Sequence, residues 1–499
     1  MLPFKADAQR AVNFPPAESA PPPAAKSPPK TVSSSETIDI TMTNGPGMRK
    51  SQERSPPAPP SLTVMYKVEY GEKLKYVDSA GKVTLFDQWK SFPNDASNLV
   101  AFTNKRLPGG NNYQYDTKPL ASPDFDPVDI PILYMTGDYD FVLTDAEVEN
   151  LHRYLTAGGT IIFNAARGQD AFSIAVMREM RKVFPKKRFM KIPPDHPLLN
   201  SFDRIKDVST MVNGIKISKP PDIYTLDIGT RAAAILVPYG LGTAWSETSY
   251  NPAGKHIMGE AAIRLGVNMI SYVLGNTAYG KFLSQQFPKY DSHTKAGDVF
   301  RFGLVRYNGS WDVNPGIQNS LLLGLNDNTH IDVDFAPHVV SLDDPTLGNY
   351  PLIFMTGHYN FELTPQEREG LIRYLQRGGM LVASAAGGLS PFDTAFRHEL
   401  QEMFPKSELV KIPPSHPLFT GGWNPLERIS YTPAALKDNP DLSTPEFYGL
   451  FINDRLAVLY TPYDFNSGLN RESNAYAKGI SSSDSLKVAI DIITYALSH

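Results

Sequence analysis

The chain has 499 residues, 41% hydrophobic and 20% charged, with a net charge of −4 and no cysteine. This composition describes a soluble globular protein, without the Lys/Arg excess of a nucleic-acid surface or an apolar run of the ~18–20 residues that cross a bilayer. The absence of thiols excludes disulfides, thiolate metal sites, iron–sulfur clusters and cysteine nucleophiles together.

The N-terminal stretch MLPFKADA contains Ala6-Asp7-Ala8, the A-x-A spacing of a signal-peptidase site, ahead of Gln9. One reading is the remnant of an export signal, which places the protein in the periplasm. The other is a polar tail that happens to hold two alanines, because no charged and apolar regions precede the spacing. Residues 1–60 carry 13 of the 43 prolines. Such a segment buries little apolar surface and lacks amide donors, so an extended polyproline-like tail is expected. It can serve as a spacer, as a PxxP ligand, or as a strap that becomes ordered on a neighbouring surface.

Beyond the tail the chain repeats itself. PILYMTGDYDFVLTDAEVENLHRYLTAGG from Pro131 recurs as PLIFMTGHYNFELTPQEREGLIRYLQRGG from Pro351, and the match runs ungapped to KIPPDHPLL and KIPPSHPLF, at an offset of 220 residues. An ungapped repeat of this length means two copies of one domain, each with its own core. Copy one is assigned to 61–283, a polar linker to 284–297 and copy two to 298–499.

Both copies alternate strand and helix signals. LTVMYKVEY from Leu62 and VFRFGLVRY from Val299 open them. The runs Ile132–Gly137 and Leu352–Gly357 are nearly all apolar, as in central parallel strands buried on both faces. Thr144 with Glu147, and Thr364 with Glu367, match the capping box, and Pro365 suits the first helical position. Leu151, Tyr154 and Leu155, like Leu371, Tyr374 and Leu375, recur at helical spacing, and Gly158-Gly159 and Gly378-Gly379 end these helices. TIIFNAA and MLVASAA follow as buried strands. Phe172, Val176, Met180 and Phe184 line the next helix, which Pro185 ends. AAAILVPY and LAVLYTPY give a further strand in each copy, and helices from Glu260 to Leu274 and from Ser485 to Leu497 close them. Strands alternating with capped helices imply an α/β fold of two tandem doubly wound, flavodoxin-like parallel-sheet sandwiches. Twin domains are expected to pack as a pseudo-symmetric pair, like a fused homodimer.

The shared string T-G-D/H-Y-x-F-x-L-T, the paired E and Y-L-x-x-G-G, and the later F-P and P-P-x-H-P-L resemble a bacterial domain family of unknown function. That family is similar to the class I glutamine-amidotransferase and trehalose-utilisation-protein-like superfamily. The resemblance covers about Leu62 to Leu274 and Val299 to Leu497. It implies a cysteine on a strand-to-helix elbow in catalytic members. Here the elbows read Asn164-Ala165-Ala166-Arg167-Gly168 and Ser384-Ala385-Ala386-Gly387-Gly388, with alanine in the nucleophile slot. Ser384 is a conceivable substitute, but its counterpart is Asn164 and no histidine is placed by sequence to activate it.

Ligands of doubly wound sheets sit at the carboxyl ends of the strands. Two repeated loops belong there. Gly137-Asp138-Tyr139-Asp140 and Gly357-His358-Tyr359-Asn360 read either as the polar rim of a pocket, with Asp138 or His358 as acid, base or ligand, or as tight turns whose aromatics pack on the sheet edge. The elbow, with Arg167 in copy one only, could hold an anion on exposed amides. His196 and His416, each in Pro-x-His-Pro, read as metal ligands or general bases, or as loop braces. Trp245, whose counterpart region in copy two starts at Asp464, reads as an exposed aromatic beside polar residues that stacks on a sugar, or as a plug in the interface between the domains. The candidate ligand residues are therefore Asp138, Tyr139, Arg167, Trp245, His358, Tyr359 and Asp464, with no catalytic residue, metal or cofactor assigned.

Two functions fit. The first is a non-catalytic binding or assembly protein of the bacterial cell envelope, a pseudoenzyme holding a protein or glycan partner, as a homo-oligomer or within a larger assembly. The second is a hydrolase or sugar-modifying enzyme with a carboxylate-based site near Asp138 or Asp464.

Overall fold

The computed structural model describes residues 62–77, 81–107, 112–246, 254–284, 300–314, 316–336, 338–422, 424, 426–470 and 474–498. The Pro-rich segment, the Ala6-Asp7-Ala8 spacing and nearly all of the linker lie outside these residues.

In the first domain the strands are β1 (Leu62–Glu69), β2 (Leu74–Val77), β3 (Val83–Phe86), β4 (Tyr113–Pro119), β5 (Ile132–Gly137), β6 (Thr160–Ala165), β7 (Met190–Lys191), β8 (Val208–Val212), β9 (Ile215–Lys219), β10 (Tyr224–Ile228), β11 (Arg231–Val237) and β12 (Lys255–Ile257). The helices are α1 (Asp95–Arg106), α2 (Asp145–Thr156), α3 (Asp170–Val183), α4 (Gly242–Trp245) and α5 (Gly259–Ser284). The main sheet runs β4-β1-β5-β6-β11-β10-β7. Its first five strands are parallel, and their order is 2-1-3-4-5 in chain sequence, the flavodoxin-like arrangement. The last two, β10 and β7, turn antiparallel.

The second domain repeats the plan with β13 (Phe302–Arg306), α6 (Ile317–Asn328), β14 (Val339–Ser341), β15 (Leu352–Gly357), α7 (Pro365–Gln376), β16 (Met380–Ala385), α8 (Ser390–Met403), β17 (Val410–Lys411), α9 (Pro417–Thr420), α10 (Pro433–Asp438), β18 (Tyr448–Ile452), β19 (Arg455–Thr461), α11 (Asn466–Asn470) and α12 (Ser482–Ser498). Its sheet order, β14-β13-β15-β16-β19-β18-β17, matches the first strand for strand. Even the irregularity in the antiparallel pair recurs, between Leu226 and Asp227 and between Leu450 and Phe451.

Local sequence explains the elements. Every residue of β5, β6, β15 and β16 is buried, which is why their sequences show no alternation. Both capping boxes form, Thr144 with Glu147 and Thr364 with Glu367, so two orphan amides at each helix start are satisfied reciprocally. The tyrosines of α2 and α7 fold back under their sheets. Tyr154 donates to the Ile130 carbonyl at 2.8 Å and Tyr374 to that of Tyr350 at 3.0 Å. A side chain at Gly159 or Gly379 would collide with these rings, so the second glycine of each pair makes room for them. Arg231 and Arg455, which begin β11 and β19, bond the carbonyls that end the same helices. Each domain carries an apolar cluster on both faces of its sheet.

Sequence periodicity does not reveal the antiparallel edge, the small β12-β8-β9 sheet or the β2-β3 hairpin. It also stops α5 ten residues early. Among the described residues, no helix is long and apolar enough to cross a membrane.

Candidate functional site at the strand ends

In the first domain the loop after β5 puts Asp138 at the end of the sheet, almost fully buried. Its carboxylate accepts the backbone amide of Arg167 at 2.9 Å and the Ser91 hydroxyl at 3.2 Å, and it pairs with the Arg167 guanidinium. The guanidinium stacks over Phe92, 5.2 Å from the ring centre. Phe92 is itself anchored, because Lys67 donates to its carbonyl at 2.7 Å and to Asp95 at 2.6 Å inside the core. Tyr134 donates to the same Asp95 at 2.8 Å. Burial raises the Asp95 carboxyl above its ordinary range, against the pull of Lys67. Asp138 and Arg167 therefore satisfy each other. Tyr139, next in the loop, is half exposed. Its amide is held by Gln88 at 3.2 Å and its ring meets Phe86 edge-on.

Trp245 does not offer a stacking surface. It is fully buried against Tyr134, and its indole N–H donates to the Ala262 carbonyl at 2.9 Å. The turn of α4 points the ring into the core of the first domain, where apolar area is worth most. The exposed aromatic considered from sequence is thus a packing residue.

In the second domain the equivalent loop is covered. His358 and Tyr359 are both buried, and what buries them is β10 of the first domain. Asp227 receives the Tyr359 hydroxyl at 2.8 Å and stands 3.3 Å from His358 Nδ1, while Thr225 shares a 3.0 Å hydrogen bond with Tyr359. Burial works to raise Asp227, but the bond and charge of His358, aided by His196 and Tyr359, hold the carboxyl below its ordinary range. Burial next to that carboxylate pushes the Tyr359 phenol well up. His358 Nε2 and Asp227 Oδ1 are buried and find no hydrogen-bond partner among the described residues.

The first domain reaches a second strand-end feature. Asp195, in the Pro-x-His-Pro loop, accepts both the amide of Ser390 at 3.2 Å and its hydroxyl at 2.5 Å. It thereby caps α8 from the neighbouring domain, occupying the anion position that the free amides of a helix start create. Further along, Asn474 donates to the Thr230 carbonyl at 2.8 Å, and Tyr476 stacks on Tyr272 with centres 5.4 Å apart.

The two elbows are held alike but by different residues. The Gly387 amide, counterpart of Arg167, donates to Asp464 at 2.6 Å, and the same carboxylate takes the Ser467 hydroxyl at 2.6 Å and amide at 3.0 Å. Ser384 is fully buried and accepts from Asn466 at 3.0 Å, with no histidine among the described residues bonded to it. His196 and His416 play one structural role in both halves. Each ring Nδ1 accepts the amide two residues on, from Leu198 at 3.2 Å and from Leu418 at 3.1 Å.

A family model matches residues 73–274 and again 301–497. The chain belongs to the family described as a domain of unknown function, DUF4159. It carries two DUF4159 domains in tandem. No curated protein matches it. Two solved structures are similar in part. A cytoplasmic protein from Salmonella typhimurium is 9% identical over 42% of this chain and 98% of that one, with a TM-score of 0.22. A "putative phosphosugar isomerase" from Silicibacter pomeroyi is 7% identical over 64% and 75%, with a TM-score of 0.15. Likeness at that level assigns neither fold nor function.

The DUF4159 repeat is thus packed differently from a fused two-fold dimer. The hydrogen bonds joining the halves run from β10, the Asp195 loop and α5 of one domain to the strand-end loops of the other. Unlike faces meet, so the contact is heterologous. Of the sequence candidates, His358 and Tyr359 are joined by Asp227, Asp138 is joined by Arg167, and Asp464 braces the second elbow. The contributions of Thr225, Asp227 and Asp195 were missed, because they act on a domain far along the chain. One signal was present: the Pro-x-His-Pro loops differ at a single internal position, Asp195 against Ser415.

Proposed function

We propose that this tandem DUF4159 protein is a non-catalytic binding or assembly protein of the bacterial cell envelope, built from two degenerate amidotransferase-like domains. One observation carries this reading. The strand ends of the second domain, where a doubly wound sheet takes its ligand, are sealed by carboxylates of the first, Asp227 on His358 and Asp195 on Ser390. In the first domain Asp138 is consumed by Arg167. The elbows carry alanine and glycine where a nucleophile would stand. The envelope setting rests on the Ala6-Asp7-Ala8 spacing.

A second reading, a hydrolase or sugar-modifying enzyme, draws on the unpartnered His358 Nε2 beside Asp227, a pair that could move a proton if the domains opened. The test is turnover of activated ester, phosphate and glycoside substrates by the purified chain and by Asp227→Asn. No turnover above buffer by either protein supports the binding reading. Turnover that the substitution removes overturns it.

A further inference from the structure

The interface between the two domains uses one face of each, and the duplication supplies both faces twice. The first domain gives β10, the Asp195 loop and α5; the second receives them on its His358–Tyr359 loop, the start of α8 and the 474–476 segment. The first domain therefore keeps a receiving face of its own, and the second keeps a giving face. Tyr359 is 5% exposed in the filled receiving face, whereas its counterpart Tyr139 is 50% exposed. On the giving side Tyr272 is buried against Tyr476, while its counterpart Tyr495 is half-buried and the neighbouring Leu497 exposed.

The counterpart residues differ in a reciprocal way. Where the filled receiving loop has His358, the giving strand has Asp227; where the open loop has Asp138, already paired with Arg167, the giving strand has Phe451. A second carboxylate there would face Asp138, and an apolar ring would not. Where the filled pair sets Ser390 against Asp195, the open pair sets Asp170 against Ser415, both exposed. Donor and acceptor have changed sides, so the pair stays complementary across copies, with Asp170 held within its own domain by Lys255. Only the 474–476 contact lacks a described counterpart.

One insertion extends the open face. The second domain touches the first through the segment joining β13 to α6, where Asp312 meets Lys187 at 3.3 Å. At the equivalent place the first domain carries the β2-β3 hairpin, which exposes Tyr76, Val77, Val83 and Leu85 and packs Phe86 on Tyr139. Val77, Val83 and Leu85 share one face of the hairpin and Tyr76 lies on the other with Phe86. Exposed apolar side chains of this kind mark an interaction surface, and through Phe86 the hairpin adjoins the open loop.

From these relationships we infer that the partner of the Tyr139 face is the second domain of another copy of this chain, docked as the first domain docks on the second within one chain. This deepens the assembly reading and rests on it. The contact is head-to-tail, so each added chain leaves the same two faces at the ends, and growth stops only if a ring closes.

The test is sedimentation velocity on the full chain over a concentration series. One variant, Tyr139→Arg, blocks the receiving face; Val142→Lys, at an exposed position of the same loop, repeats the test if the first folds poorly. Another, Ser415→Arg with Leu497→Arg, blocks the giving face at exposed positions. The wild type is expected to form dimers and larger species as concentration rises. Each variant alone should weaken association roughly tenfold or more, as loss of an anchor does. An equimolar mixture of the two variants should form dimers and stop there, because each retains the face the other lacks. A wild type that stays monomeric throughout, association that survives both variants, or a mixture that remains monomeric overturns the inference. Enzymatic turnover would sink the assembly reading while leaving these sedimentation outcomes to stand on their own.

Discussion

Asp138 and Asp464 make the same bond from different strands. Each accepts the elbow amide that follows β6 or β16, Arg167 N–H at 2.9 Å and Gly387 N–H at 2.6 Å, yet Asp138 follows β5 and Asp464 follows β19. The carboxylate has moved within the fold while the amide it satisfies has stayed. In the first domain the displaced position holds Gly240, and in the second it is His358 that replaces the aspartate. A requirement kept while its residue changes is structural, and it concerns the elbow.

The Asp464 brace should therefore cost stability when removed. Asp464→Ala leaves the Gly387 amide and Ser467 without their acceptor in a buried place, at about 2–4 kcal/mol. Asp464→Asn keeps one acceptor oxygen and should lose roughly half as much. Urea unfolding of both variants measures the difference, and equal losses would contradict the assignment.

The elbow glycines separate two kinds of strain. Gly387 and Gly388 both have φ of +65°. A side chain at Gly387 meets nothing closer than 3.7 Å, whereas one at Gly388 overlaps the Lys478 carbonyl. Gly387→Ala should cost about 1 kcal/mol, the left-handed backbone alone. Gly388→Ala should cost clearly more, since backbone must also shift. Thermal melts of the two proteins check the order.

Much of this fold was legible because its signals are local. Thr364-Pro365 with Glu367 specifies a helix start within four residues, and the apolar runs of β5, β6, β15 and β16 declare strands buried on both faces. The antiparallel β10 was not legible, since Thr225 and Asp227 face another domain and its pattern serves two surfaces. Trp245 shows the same limit for a site: an aromatic among Gly and Thr reads alike whether its ring points out or in. Asp195 and Asp227 bond residues 195 and 131 positions away, and no spacing rule reaches that far.

The helix starts give a matched pair of predictions. Thr144→Ala and Thr364→Ala each remove a side chain that accepts the N3 amide and pairs with the reciprocal glutamate. Each should cost about 1 kcal/mol. Because the two boxes lie in separate domains with no shared partner, the double variant should lose the sum within about 0.5 kcal/mol.

Acid should loosen the interface through His196. Burial lowers its pKa from 6.5 to about 4, with Asp227 and Asp195 opposing and His358 reinforcing the shift. Protonation would also remove the Nδ1 lone pair that accepts the Leu198 amide. The folded state thus favours the neutral ring, so its stabilising contribution is complete above the unfolded pKa of 6.5 and shrinks as pH falls toward 4. The loss is roughly 3 kcal/mol over that window. Asp227, held below its ordinary range, contributes the same sign only at lower pH, below about 4. Stability measured by urea between pH 7 and 4 should therefore decline in the wild type and decline less in His196→Gln. Equal slopes in the two proteins would remove His196 from this role.

Asp227 itself should couple the domains. Its carboxylate serves both Tyr359 and His358 across the interface, and both of those side chains are buried. Asp227→Ala leaves the His358 imidazole without its acceptor and the Tyr359 hydroxyl with Thr225 alone, a cost of about 2–4 kcal/mol that falls on the interface and not on either core. Tyr359→Phe removes one bond and keeps the ring's packing, so about 1 kcal/mol is expected. Scanning calorimetry distinguishes this from ordinary destabilisation. The wild type should melt in one transition, because the first domain cannot unfold without uncovering the second's strand ends, nor the second without uncovering β10 and the Asp195 loop of the first. Asp227→Ala should split it into two, with the unfolding enthalpy of each domain largely intact. A single transition merely shifted to lower temperature would show that Asp227 stabilises the first domain's own sheet, and that the seal over His358 is held by the remaining contacts.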